Sequence, residues 1–310
     1  MQSSQRYVLS PAARWSFQGR DLRLHTDSML LVRNCPDSVK AWVEAISSNA
    51  NGLPAPTDSD SVDIVGHLIR LGFAVEAFDR SWQDSAWVNQ VEYFAALGLD
   101  AGSAQRRLQS MPVTVLGVGG IGAAVLSELV GAGVSSLTLV DQDEVALRNL
   151  NRQYLYRRCD IGRPKVDVAR DWVLDRIPEA DVRTAIASIT SPIDLRPWVH
   201  PEGYLVVAAD TPGDLPQICA QVCRDVSATM ILGGCGLKVG ASGPVVTPPH
   251  LDSFVASRQA AQSIAMTAAA PMTASFGPAN TIVGATMGRD LVLSIAGVEA
   301  GVDERRIDLV

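Results

Sequence analysis

Between an apolar run, Val113–Leu116, and a helix-like stretch around Ile121–Ala132, the chain carries Gly117-Val118-Gly119-Gly120-Ile121-Gly122. No other feature restricts the possible folds as tightly. A G-x-G-x-x-G loop between strand and helix brings backbone N–H groups close to a phosphate at a helix N-terminus, where the helix dipole favours negative charge. Leu137–Val140 follows as a second strand, and Asp141 at its end is placed to accept hydrogen bonds from a ribose. Gly162-Arg163-Pro164 opens a further helix to about Ile177, with Pro164 acceptable at its first position. Tyr204–Ala209 is a continuous apolar run, as expected of a parallel strand covered on both faces. Strands alternating with helices predict an α/β fold with a Rossmann-like doubly wound sheet. By itself the glycine loop indicates only a dinucleotide or a nucleotide, and a dehydrogenase would share it.

The next segments separate those choices. Asp141-Gln142-Asp143-Glu144-Val145 leads into Asn149-Leu150-Asn151-Arg152-Gln153, then Ile161-Gly162-Arg163-Pro164-Lys165, and later Ala208-Ala209-Asp210 at a strand end. A dehydrogenase has no use for this polar set beside the phosphates. Adenylation does: Arg152 and Lys165 can neutralise a triphosphate and the charge that builds as pyrophosphate leaves. Asp210 can hold Mg²⁺, Asn149 and Gln153 can orient phosphate oxygens, and Asp143 joins the nucleotide-binding set. Asp210 also suits the N-cap of the following helix, and the two roles are compatible.

With these motifs together, the sequence resembles the ThiF/MoeB/HesA adenylating enzymes, relatives of the ubiquitin-activating enzymes, over about Tyr93 to Gly297. The resemblance implies that Gly117, Gly119, Gly120 and Gly122 cradle ATP and that Asp141 binds its ribose. It implies that Asn149, Arg152, Gln153 and Lys165 engage phosphates, that Asp210 is essential for Mg²⁺, and that the enzyme is a homodimer. The sequence also departs from the family. After Gly243-Pro244 it reads VVTPPHLDSF, without the CxxC pairs that bind structural zinc in many members, so zinc is expected to be absent. Residues 255–275, rich in Ala and Ser and expected to form a mobile loop, contain no cysteine, so no enzyme thioester is expected. Asn89 stands where many relatives carry an arginine that reaches the neighbouring subunit, leaving Arg80, Arg106 and Arg107 as substitutes.

Ahead of this region, Trp15/Phe17 and Leu22/Leu24 alternate with polar residues, predicting two strands turned at Gly19, and Met29–Val32 reads as a third. Val39, Trp42, Val43 and Ile46 make an amphipathic stripe started at Pro36-Asp37. A second stripe, Val62, Val65, Leu68 and Ile69, stops at Gly72. Asp79–Asp84 reads as a linker, and Trp87–Leu108 as helical, with Tyr93, Phe94, Leu97 and Leu108 available for packing. Pro278–Gly297 reads as a long apolar helix. The expected organisation is a small α+β winged-helix-like module over residues 1–84 and an adenylation domain over 85–310. The order of elements in the module resembles the leader-peptide recognition element of peptide natural-product enzymes, and the whole is similar to the MccB-like peptide-adenylating subgroup. That resemblance implies a precursor peptide bound by β-augmentation around Met29–Ile46.

A net charge of −7 disfavours nonspecific nucleic-acid binding, including by the winged-helix-like module, which could instead serve only in dimerisation. No apolar run approaches the roughly 20 residues needed to span a bilayer, and MQSSQRYVLS lacks a signal-peptide core. Five cysteines form no disulfide pattern, so a cytoplasmic setting is expected. Cys219 and Cys223 are expected in the core, and His25, His67, His200 and His250 show no ligand spacing. The leading expectation is ATP- and Mg²⁺-dependent adenylation of a carboxylate on a ribosomally made precursor peptide. The alternatives are a non-catalytic scaffold that delivers the peptide to a downstream modifying enzyme such as a cyclodehydratase, and an adenylyltransferase for a sulfur-carrier protein.

Overall fold

The computed structural model describes residues 5–78, 80–262, 274–298 and 304–309. Packing divides the chain into two compact units, Met1–Arg106 and Arg107–Val310.

In the first unit β1 (Tyr7–Leu9) precedes an antiparallel meander of β2 (Arg14–Gln18), β3 (Asp21–His25) and β4 (Met29–Val32). The alternation seen in the sequence sets the register, with Trp15 opposite Leu24 and Phe17 opposite Leu22. Gly19 turns the chain between β2 and β3 at a φ of +62°, in the left-handed region that favours glycine. Helix α1 (Asp37–Ser48) buries Val39, Trp42, Val43 and Ile46, and the Trp42 indole N–H donates to the Pro54 carbonyl at 2.9 Å. Helix α2 (Ser59–Arg70) buries Val65 and Leu68, while Val62, expected on that face, is exposed. Strand β5 (Ala74–Glu76) returns to pair with β1. Sequence reading missed both, because three residues are too few for an alternation to register. The helix expected over Trp87–Leu108 is two, α3 (Val88–Ala96) and α4 (Ala101–Ser110), interrupted around Gly98. Phe94 and Leu108 are buried, whereas Tyr93 and Leu97, expected to pack, are exposed. The expected linker contains a 3₁₀ turn at Arg80–Trp82, and its Asp79 lies outside the described residues.

The second unit begins with β6 (Pro112–Leu116), α5 (Gly120–Gly131) and β7 (Ser136–Val140), followed by α6 (Lys165–Leu174), β8 (Asp181–Ala185) and the short α7 (Pro192–Leu195). Then come β9 (Tyr204–Val207), α8 (Leu215–Val226), β10 (Thr229–Cys235), β11 (Val239–Val246), α9 (Leu251–Gln262), α10 (Gly277–Ala296) and β12 (Arg305–Asp308). The sheet order is β12-β11-β10-β9-β6-β7-β8. The five strands from β10 to β8 are mutually parallel, and β11 and β12 extend the β10 edge in antiparallel pairing. The doubly wound sheet is therefore as expected, with an antiparallel ribbon that the sequence did not announce. The chain builds outward from β6 through β7 and β8, then returns to the other side of β6 with β9. That reversal opens a crevice at the strands' C-terminal ends, the usual ligand position in such sheets.

Three local expectations change. Residues 255–262 belong to α9 instead of a loop, and 263–273 lie outside the described residues. Pro164 is the N-cap of α6, not its first residue, and the helix stops at Leu174. Asp214, not Asp210, occupies the N-cap of α8. Cys219 and Cys223 sit in the core as expected, and burial pushes the Cys223 thiol up to about 12. Among the described residues no helix is long and apolar enough to cross a membrane.

Helix α10 packs along α5. A Cβ at Gly284 would fall 2.5 Å from Ala124 Cβ, and one at Gly288 2.6 Å from Glu128 Cβ, so both glycines are needed for close approach. Asn280 meets Gly120 in the same way, and contacts climb both helices together, so the two run parallel. Arg107 Nε donates to the Ile295 carbonyl at 3.1 Å and its Nη2 to the Ala296 carbonyl, capping the C-terminus of α10. This side chain, one of three expected as a substitute for the missing arginine, is thus engaged within its own unit. Arg80 donates to the Ala50 carbonyl and Arg106 to Ser103 Oγ.

Candidate functional site

A cavity of about 980 Å³ opens at the C-terminal edge of the parallel strands. All five contribute. Ala187–Ile189 follow β8, Asp141–Asp143 follow β7, and Gly117, Gly119, Gly120 and Ile121 follow β6. Ala208–Thr211 follow β9, and Gly233–Leu237 close β10. Ten of the eleven residues expected at the site line it: Gly117, Gly119, Gly120, Asp141, Asp143, Asn149, Arg152, Gln153, Lys165 and Asp210. The eleventh, Gly122, does not. It packs so closely on the Gly117 carbonyl that any side chain there would run into it. Its part is to let the loop fold onto α5.

The loop's shape is set by its neighbours. Gly117 has a φ of +89°, and a Cβ there would stand 2.8 Å from the Ala208 carbonyl oxygen on the adjoining strand end. Asp141 fastens the loop from the other side: one carboxylate oxygen accepts from Val118 N–H at 2.7 Å, the other from Asp143 N–H at 2.8 Å. Each oxygen keeps a lone pair for a further donor. The Tyr156 hydroxyl donates to the Val118 carbonyl at 2.6 Å. Burial first, and the carboxylates of Asp141, Asp143 and Asp160 next, push that phenol far above its ordinary value, so it remains a neutral donor.

Lys165 is held at two points by one residue. Its N–H donates to the Asp143 carbonyl at 2.9 Å, and its Nζ lies 2.7 Å from Asp143 Oδ2. The lysine side chain is 5% exposed and the aspartate 57%. The segment around Val145 pairs with Gly162–Arg163 through two further backbone bonds, which fixes the start of α6 beside the end of β7. Asn149 is buried in a 3₁₀ turn, where its Oδ1 accepts from Ala146 N–H at 2.8 Å, leaving its amide hydrogens for an anion. Arg152 Nη1 donates to the Arg148 carbonyl at 2.6 Å and to Asn151 Oδ1 at 3.1 Å. Gln153 Oε1 is buried with no partner among the described atoms. Asp210 is exposed, and its Oδ1 accepts from the Thr211 hydroxyl at 3.3 Å.

These residues fit ATP and Mg²⁺. Gly119 has a φ of −84°, outside the left-handed region, and a Cβ there would meet nothing closer than Gln153 Nε2 at 3.7 Å. Its missing side chain leaves a cradle on the cavity side that suits a phosphate. Among the described residues no group of three or more His, Cys, Asp or Glu side chains is arranged to hold a metal. One free carboxylate completed by phosphate oxygens and water is a common Mg²⁺ arrangement, and Asp210 offers it.

Sequence reading missed several lining residues. Arg148 and Asn151 flank or sit within the quoted Asn149–Gln153 motif but were given no role. Gly233–Leu237, Ser275, Phe276 and Asn280 carry no motif at all and reach the cavity only through strand order and the packing of α10. Cys235 is among them, a half-buried thiol pushed up by burial, the opposite of an activated nucleophile.

The chain is 31% identical over 106 residues, 33% of its length, to a NEDD8-activating enzyme E1 catalytic subunit of Schizosaccharomyces pombe, covering 24% of that protein. It is 48% identical over 67 residues, 22% of its length, to a molybdopterin-synthase adenylyltransferase of Salmonella typhimurium, covering 27% of that protein. The chain thus spans about a quarter of each of these relatives. In fold it is similar to Escherichia coli MccB, in a crystal structure with AMPCPP and MccA, at a TM-score of 0.75 and 18% identity, over 98% of this chain and 97% of that one. PaaA matches at a TM-score of 0.64 and 22% identity, over 80% and 88%. The sequence model of the ThiF family matches residues 89–307, well over half of the chain, and the protein is a member of the ThiF family.

Proposed function

We propose that the protein is an ATP- and Mg²⁺-dependent adenylyltransferase that activates a carboxylate of a ribosomally made precursor peptide. The observation that carries this reading is the convergence of the glycine loop, Arg152, Lys165 and Asp210 on one cavity. ATP supplies the adenylyl group, and Mg²⁺ offsets phosphate charge. The glycine loop and the α5 N-terminus bind phosphate, and Asp141 accepts from the ribose. Asp143 holds the Lys165 ammonium in place, Arg152 adds a second cation, and together they oppose the charge that develops as pyrophosphate departs. Asp210 would hold the metal. The half-buried, unactivated Cys235 and the absence of cysteine from residues 255–275 support direct transfer from an acyl-adenylate, without an enzyme thioester.

Residues 1–84 are proposed as the module that holds the precursor's leader. Strand β4 ends the three-stranded sheet, and beside it lies a mostly apolar groove of about 400 Å³ lined by Leu30, Leu31, Val32, Ile64, His67 and Leu68, with the charged Asp63 and Arg70 also in its lining. The helix bordering this groove is α2. The α1 segment, expected to share in binding, buries its apolar stripe of Val39, Trp42, Val43 and Ile46. An extended leader peptide adding to β4 would place alternate side chains over the groove. The MccB crystal structures with MccA support a peptide partner by likeness of fold.

A second reading, adenylation of a sulfur-carrier protein, is favoured by the identity with the molybdopterin-synthase adenylyltransferase. ATP–pyrophosphate exchange, driven in turn by candidate precursor peptides and by a carrier ending in Gly-Gly, tests both. Exchange that needs a peptide and disappears in Asp210→Ala supports the first. Exchange with the carrier alone supports the second. ATP binding without exchange, or no ATP binding, would overturn both and leave a scaffold. Self-association is proposed alongside, and a monomer in sedimentation would refute it.

A further inference from the structure

Along the sheet edge the cavity lining forms a line of positions in the order β8, β7, β6, β9, β10. The β8 end offers Ala187 and Ile189, followed by Asp141, then the glycine loop with Arg152 and Lys165, then Asp210. A nucleotide with its base toward β8 and its phosphates on the loop fills that stretch. The β10 end is left over, and its chemistry differs from the rest. Gly233–Leu237 line it there, Ala274–Phe276 and Ala279 join the same cavity from just before and at the start of α10, and none of these side chains is charged. Gly233, Gly234 and Gly236 contribute backbone only. Leu237 is 73% exposed and Phe276 64% exposed, so two large apolar side chains from separate elements are open to water in the lining of one cavity. Exposed apolar groups gathered in a concave site mark a place that a ligand covers.

We propose that the β10 end is the acceptor subsite and that it selects a carboxylate carried next to an apolar side chain, with Leu237 and Phe276 as specificity-determining residues. This rests on the adenylation reading. In the reaction a carboxylate oxygen bonds to the α-phosphorus while the bond from that phosphorus to the bridging oxygen breaks. Pyrophosphate leaves with the electron pair, and no oxidant or reductant is needed. An apolar neighbour seated against Leu237 and Phe276 removes apolar surface from water, whereas a charged neighbour loses water there beside uncharged side chains.

The test uses the full chain and the free-acid tripeptides acetyl-Gly-X-Gly, with X as Leu, Phe, Ser, Asp or Lys. Each is titrated calorimetrically with and without Mg²⁺ and AMPCPP. Leu and Phe peptides should bind about tenfold or more tighter than the Ser peptide, and Asp and Lys peptides more weakly still. Leu237→Asn and Phe276→Ser should each bring the Leu and Phe peptides down towards the Ser value while leaving AMPCPP affinity unchanged. Equal affinity across the panel, no peptide binding at all, or a preference unaltered in both variants would overturn the proposal. The separate AMPCPP titration distinguishes the two levels: its failure defeats the adenylation reading, whereas AMPCPP binding with no apolar preference defeats only this one.

Discussion

In the first unit, strands β2 and β3 alternate exposed or half-buried positions with more buried ones, and one face of a thin sheet packs on α1 and α2. In the second, β6 and β9 run through four and three successive buried positions, because helices cover both faces of the sheet. The first unit keeps apolar surface on the outside, at Met29, Leu31 and the groove beside β4. The second holds its crevice open by leaving side chains out, at Gly117, Gly119 and Gly120. A site made of exposed apolar side chains can be altered without disturbing the fold beneath it. A site made of absent side chains is less forgiving: a side chain added at Gly117 meets backbone, one at Gly120 meets Asn280, and one at Gly119 fills the cradle itself.

The sharpest way to break that contrast is Gly122→Ala. The added Cβ collides with the Gly117 carbonyl, so the variant should lose about 3 kcal/mol or more of stability in urea unfolding, and ATP binding with it. A stable, ATP-binding variant would mean that the loop is slack and that the comparison fails. Next in size, Lys165→Met should lower ATP–pyrophosphate exchange about 10²- to 10³-fold, as loss of a group that stabilises developing charge does. Its unfolding midpoint should move little, because the Asp143 carboxylate left behind is largely exposed. In the first unit, Leu31→Asn should weaken precursor-peptide binding about tenfold, with ATP affinity and melting temperature unchanged. A large fall in melting temperature would show that the groove is part of the core after all. Tyr156→Phe should cost about 1–2 kcal/mol, by stranding the buried Val118 carbonyl. Smallest is Arg224→Ala: both partners of the Arg224–Asp252 pair are at least half exposed, and the unfolding free energy should change by less than about 1 kcal/mol.

Legibility in the sequence followed how local each signal was. The stripe Val39, Trp42, Val43 and Ile46 is one helix face, and all four residues are buried. The site motifs after β6, β7 and β9 stood out because each lies in one short segment, and strand adjacency brings the segments together. Strands β1 and β5 escaped notice because each is three residues long and its partner is more than sixty residues away. The break around Gly98 was hidden in a helical stretch, since a single glycine is tolerated inside helices as well as at their ends. Phe276 and Asn280 were invisible as site residues for a different reason. Nothing in a mostly apolar helix tells which end will lie beside a loop some 150 positions earlier. That depended on the parallel docking of α10 on α5, which two glycines and one asparagine determine together.

The seam between those helices has a consequence for how the gene can vary. At Gly120, Gly284 and Gly288 every possible replacement adds at least one carbon, and the space each would enter is already filled by the other helix. A codon for glycine has no smaller residue to mutate towards, so drift at these positions has no neutral amino-acid step. Elsewhere a core can absorb a larger residue if a neighbour shrinks, but here the opposing atoms are a backbone oxygen, a Cβ and the side chain of Asn280. The lineage can therefore remodel the exposed rim at Leu237 and Phe276 freely and acquire new substrates, while the helix pair behind the phosphate loop stays fixed.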